Sequence, residues 1–197
     1  MKKILLLLTF FCAISVFGQK EDYKRALVTF DDSWREEIIP MPIGFAPQIP
    51  LKGIEEVRFA KGWSTKGDDT FWTYAFLWNI ELTEMLSTKQ LELYMQYYFD
   101  GLMTTVNKDK DKVVPKTIAL FLKKETNTDA NHFVGKIQLY DSFHTKDIIT
   151  LNCTVLQYNC TKEKKSMVLF HFSPKEFGHA TWDELHTVKL KEKPCNH

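Results

Sequence analysis

The chain has 197 residues, with 26 lysines and arginines against 25 aspartates and glutamates and a formal charge of +1. That balance lacks the strong, locally basic bias of a nucleic-acid binder.

Met1-Lys2-Lys3 is a cationic tip, and residues 4–14 are apolar apart from Thr9. Val16 and Gly18 are small or compact residues just before Gln19. A cationic tip, a short apolar core and a small-residue exit make a secretory signal peptide over residues 1–18. The run is shorter than the roughly 20 apolar residues of a membrane span. The expected product is secreted or periplasmic, begins at Gln19, and forms a single α+β domain over residues 19–197 with one sizeable core. Without Lys2 and Lys3 its balance is 24 cations against 25 acids, close to neutral. Cys12 leaves with the leader, and Phe10, Phe11 and Ala13 around it do not form the small-residue box that precedes a lipidated cysteine.

Residues 26–30 read as a short strand, broken by Asp31-Asp32-Ser33. Residues 37–50 then hold Pro40, Pro42, Pro47 and Pro50, four of the chain's seven prolines. Proline fixes φ, removes a donor and pushes the preceding residue into an extended state. With Ile38, Ile39, Met41, Ile43, Phe45 and Ile49 interleaved, the segment reads as an extended strap packed across the domain. Residues 54–60 form a second strand. Residues 71–80 form the most strongly patterned one. Alternation places Trp72, Tyr74, Phe76, Trp78 and Ile80 on one face. Four aromatics on one face either fill a core or form a stacking platform for a ring-bearing ligand. Core is the default, because large exposed apolar patches are rare.

Ser87-Thr88-Lys89-Gln90 matches a capping box. Leu91, Tyr94, Met95, Tyr98 and Leu102 follow at helical spacing as one apolar stripe. Gly101 weakens the end of this helix, the natural cover for the aromatic face. Strand-like runs at 117–123, 133–140, 148–158 and 167–173 follow, separated by turn-rich links, as in an antiparallel meander. The basic clusters Lys123-Lys124 and Lys162-Glu163-Lys164-Lys165 read as solvated, the second as a hairpin loop. Residues 181–188 form a short terminal helix with Trp182, Leu185 and Val188 inward. The fold class is therefore α+β: an antiparallel sheet of about six or seven strands, one long helix packed on one face, and a short C-terminal helix.

Three cysteines remain after the leader. Cys153 and Cys160 lie in one extended segment, where roughly 3.3 Å per residue separates them far beyond bridging distance. Cys160 with Cys195 is the better disulfide; three free thiols, with Cys153 packed in the core, is the alternative. Asn-Cys-Thr occurs at 152–154 and 159–161, but the Met-Lys-Lys leader looks bacterial and discounts glycosylation.

Few constellations carry chemistry. His179, Asp183 and His186 are spaced i, i+4, i+7, which on a helix brings them within about 60° on one face. Two histidines and a carboxylate can hold a divalent metal, with His171 a conjectural fourth ligand; an ordinary solvated helix face is the plainer reading. Asp31-Asp32-Ser33-Trp34-Arg35-Glu36-Glu37 concentrates four acids, and a hydrolase would need two of them held at a fixed separation. A capped turn is the plainer reading. Glu55 and Glu56 sit side by side in a strand and point to opposite faces. No phosphate-binding loop, nucleophile elbow or His-Glu-x-x-His is present.

The blocks Glu37-Ile38-Ile39-Pro40-Met41-Pro42 through Pro50, residues 53–63 and 71–78, and Tyr98-Phe99-Asp100-Gly101-Leu102 resemble an exported protein family of Bacteroidota. The resemblance runs over most of the mature chain. It implies a compartment and brings no activity, cofactor or site residue with it.

Three functions remain. The leading expectation is an exported, non-catalytic binding module of the cell envelope with a protein, glycan or small apolar partner. The second is a carrier that holds a small apolar or aromatic ligand between the long helix and Trp72, Tyr74, Phe76 and Trp78. The third is a metal-dependent hydrolase built on His179, Asp183 and His186 or on the acidic cluster. A cavity under the helix favours the carrier.

Overall fold

The computed structural model describes residues 27–109, 111–191 and 195. The signal peptide and the expected start at Gln19 lie outside the described residues.

The chain runs β1 (Val28–Thr29), β2 (Arg35–Met41), β3 (Gly53–Phe59), β4 (Tyr74–Ile80), α1 (Thr88–Val106), β5 (Ile118–Lys124), β6 (Asn131–Tyr140), β7 (Ile148–Cys160), β8 (Lys165–Ser173), α2 (Thr181–Leu185) and β9 (Lys189–Leu190). Seven strands form one antiparallel sheet in the order β2-β3-β4-β8-β7-β6-β5, and β1 pairs with β9. The architecture is α+β, with a long and a short helix.

Alternation gives the sheet two different faces. One carries Val57, Phe76, Trp78, Phe170, Phe172, Cys153 and Phe133, in a buried cluster with Leu91, Met95, Tyr98 and Phe99 of α1. Its rings are in mutual contact: Phe76 lies 4.7 Å from Phe170 and 5.2 Å from Tyr98, and Tyr74 lies 4.9 Å from Phe172. Each fully buried aromatic side chain contributes about 1.5–3 kcal/mol. The opposite face, at the β3-β4-β8 end, carries Ala75, Leu77 and Leu169 under Val28, Trp34, Trp182, Leu185 and Val188.

Ser87 and Gln90 form a reciprocal capping box at the start of α1. Gly101 does not end the helix, which runs on to Val106. A Cβ at Gly101 would stand 1.9 Å from the Phe45 carbonyl oxygen, so glycine is what allows α1 to approach the 45–46 backbone this closely. Two α1 carboxylates also serve β5 and its approach: Glu92 accepts from the Phe121 amide at 3.0 Å, and Asp100 from the Thr117 amide at 2.7 Å. They satisfy amides along a sheet edge that would otherwise be open.

Three sequence expectations change. The strap divides: Arg35–Met41 is a paired edge strand, and turns bury Ile43, Ala46 and Ile49. Pro40 is tolerated there because an edge strand leaves its outer amides unpaired. The strand expected over 71–80 begins only at Tyr74, because Trp72 has φ of 54° and its amide turns back to the Trp63 carbonyl at 2.8 Å. The terminal helix stops at Leu185, since Lys189 and Leu190 pair with β1. That strand pair is invisible to local periodicity, because its partners lie about 160 residues apart.

Candidate functional site

The sheet's register assembles the site. Arg35, Phe59 and Tyr74 stand directly opposite one another across β2, β3 and β4; so do Glu37, Val57 and Phe76, and so do Ile39, Glu55 and Trp78. Side chains alternate along a strand, so these nine residues share one face. The inner side of edge strand β2 is therefore Arg35, Glu37 and Ile39. A cavity of about 350 Å³ lies against them. Val57, Trp72, Tyr74 and Tyr98 are its buried floor; Phe45, Phe59, Trp63 and Leu102 are its half-buried walls; Arg35, Glu37 and Phe143 are exposed at its rim.

The walls are held from behind. Asp141 accepts from the amides of Phe143, His144 and Thr145 at 2.9, 3.0 and 2.8 Å, which fixes the loop that presents Phe143. Burial opposes ionisation of this carboxyl, but the Thr145 and His144 amides outweigh it and hold its pKa below the ordinary value. The Trp63 ring packs 4.6 Å from Phe59. The Arg35 guanidinium lies over both rings, 5.0 Å from Phe59 and 5.6 Å from Trp63.

Beneath the floor sits Glu55, fully buried. The Trp78 indole donates to one carboxyl oxygen at 2.6 Å and the Tyr98 hydroxyl to the other at 2.8 Å. Burial pushes Glu55 up to about 7, against those two hydrogen bonds and with help from the charge of Glu37. Burial first, and then Glu55, keep the Tyr98 phenol neutral. The floor thus offers neutral phenols and the rim one cation and one anion. The described chain's free thiol, Cys153, is buried, and burial raises its pKa, so it is no nucleophile.

The buried carboxyl has a pH signature. Between about 4.5 and 7 the folded chain holds a proton on Glu55 that the unfolded chain releases. This contribution is complete below pH 4.5 and is lost as pH rises through 7. His171 runs the other way. Burial lowers it to about 4, and it stays neutral with its ring bonded to the Thr154 hydroxyl and the Val188 carbonyl. Its contribution is complete above pH 6.5 and is lost as pH falls through 4. The two slopes oppose each other, so the wild-type profile alone hides both. Glu55→Gln should gain on the wild type as pH rises from 4.5 to 7, by up to about 3 kcal/mol. Denaturant melts of both proteins at several pH values check this; parallel curves mean that Glu55 titrates normally.

The sequence-selected residues separate. Of the aromatic ladder, Trp72 and Tyr74 line the cavity floor, while Phe76 and Trp78 lie deeper, at 0% exposure. α2 spans only Thr181–Leu185, so Asp183 lies within it and His179 and His186 lie beyond its two ends. The His179 ring bonds Thr181, and the His186 ring packs 5.4 Å from His171, both of whose nitrogens are taken. Among the described residues, no group of three or more His, Cys, Asp or Glu side chains is placed to hold a metal ion. Cys160 and Cys195 form a disulfide with a Cα–Cα distance of 5.0 Å. The acidic cluster is divided: Asp31 accepts from the Ser33 amide at 2.8 Å, Glu36 pairs with Arg58 on the outer face, and Glu37 faces the cavity.

Sequence reasoning set Glu55 and Glu56 on opposite faces of their strand, as they are, but missed Glu55 as a buried carboxyl beside the cavity, Arg35 and Glu37 as a cavity pair, and Trp63 and Phe143 altogether. The one available signal was Arg35-x-Glu37-x-Ile39 running into Pro40, a two-residue alternation that marks an edge strand. Among the described residues, no helix is long and apolar enough to cross a membrane. No family model, curated protein or solved structure matches this chain.

Proposed function

We propose that the protein is an exported, non-catalytic binding module that carries a small apolar or aromatic molecule. The observation that supports this reading most is the aromatic-walled cavity between β2, β3, β4 and the second half of α1. In this reading α1 is the cover of the sheet's aromatic face, and Tyr98 and Leu102 close the cavity from above. Its volume of about 350 Å³ lies at the small end of ligand sites, and it combines many apolar walls with few polar groups. Export rests on the leader at residues 1–18. It is checked by the mass of the secreted product, which should begin at Gln19.

Toluene is a suitable neutral probe, since apolar cavities bind small arenes without any polar contact. Toluene should raise the melting temperature of the secreted protein saturably. Leu102→Trp, which places a ring in the cavity from a half-buried wall position, should abolish the shift while leaving the circular dichroism spectrum unchanged. Absence of a saturable shift in the wild type with toluene and with phenylalanine alike overturns the carrier reading.

A further inference from the structure

We propose that the ligand is a zwitterion of the α-amino-acid type, with an aromatic or branched body in the cavity, its carboxylate on Arg35 and its ammonium on Glu37. This rests on the carrier reading and adds the chemistry of the head group.

The charge pattern of the lining carries it. Arg35 and Glu37 are the charged residues of that lining. They stand two apart on β2, on the same face, so their Cα atoms are about 6.6 Å apart. Both are exposed at the rim, where an incoming molecule keeps its polar end. Neither is paired in an ion pair with the other or with another described residue. The contrast with the next residue is sharp: Glu36, on the outer face, finds Arg58 at 3.3 Å.

A singly charged ligand suits this rim poorly. A carboxylate on Arg35 meets the unpaired Glu37 beside it, and an amine on Glu37 meets Arg35. A molecule with both charges on one carbon satisfies both at once, and bidentate guanidinium–carboxylate pairing orients it. Arg35 is also pre-positioned, since its guanidinium rests on the faces of Phe59 and Trp63 rather than moving freely in water. The walls Phe59, Trp63, Tyr74 and Phe143 then receive a ring or a branched chain.

The test is calorimetric titration of the secreted protein with four probes that share one ring. They are phenylalanine with both charges, 3-phenylpropionate with the carboxylate alone, phenethylamine with the ammonium alone, and toluene with neither. Phenylalanine should bind at least about tenfold tighter than either singly charged probe. Arg35→Gln should reduce phenylalanine to the affinity of phenethylamine, and Glu37→Gln to that of 3-phenylpropionate. Neither substitution should change toluene binding, which shows that the cavity and the fold are intact. If toluene binds and phenylalanine binds no tighter than the singly charged probes, the zwitterion inference is overturned and the carrier reading stands. If none of the four binds, the carrier reading itself is overturned.

Discussion

Trp78→Ala is expected to destabilise the protein by about 3–5 kcal/mol. The indole is fully buried, with ring centroids 5.5 Å from Phe76 and 5.0 Å from Phe170. Truncation removes the largest ring at the centre of the sheet and leaves a void that α1 and β8 cannot close, because both are tied elsewhere by their own contacts. It also removes one of the two donors to Glu55, leaving the buried carboxyl with Tyr98 alone. Trp78→Phe separates the two effects: it keeps most of the ring, loses the donor, and should cost about 1–3 kcal/mol. Denaturant unfolding of the three proteins at pH 6 gives both values. A loss within about 0.5 kcal/mol for the alanine variant would mean that this ring is not part of the core.

Arg58→Ala should cost a similar amount for a different reason. Arg58 is fully buried, although it sits in a strand on the outer face of the sheet. Its guanidinium bonds Glu56 and the Val57 carbonyl, lies 3.3 Å from Glu36, and stacks 4.1 Å from the Phe30 ring. Glu56 is itself 1% exposed and also accepts from the Leu27 amide at 2.8 Å. Removing the cation strands a buried carboxylate, which costs about 3–5 kcal/mol. The double variant Glu56→Gln/Arg58→Met should recover most of that loss. The glutamine keeps an acceptor for Leu27, and the methionine refills the space without a charge. Additive losses in the double-mutant cycle would show that the two residues do not act as a pair.

These two sites show how one strand carries two kinds of buried charge. Ile54-Glu55-Glu56-Val57-Arg58 places Glu55 on the α1 side and Glu56 with Arg58 on the other. Glu56 has a cation and Glu55 has only neutral donors. Burial, opposed only by those neutral donors, leaves Glu55 raised to about 7 beside the cavity.

The extent of what could be read in advance follows the range of each physical cause. The helix start at Ser87, the aromatic alternation of residues 74–80 and the antiparallel links of the later strands depend on neighbours within a few residues, so patterning and capping chemistry expose them. Mixed α+β architecture follows from the same local signals. The cavity does not. Arg35 and Glu37 read as part of an acidic turn until β2 pairs with β3, and only the register Arg35–Phe59–Tyr74 turns them toward the aromatic walls. Phe143 reaches the same cavity from a loop more than a hundred residues further along, held there by Asp141. The histidine spacing failed for the converse reason: it assumed a helix longer than five residues, and pairing of β9 with β1 ends that helix at Leu185. Local sequence thus determined the class of each main element, because propensity, alternation and capping act over one or two turns of chain. Tertiary structure alone decided which charged side chains meet, because their burial and partners depend on strand register and on contacts between distant segments.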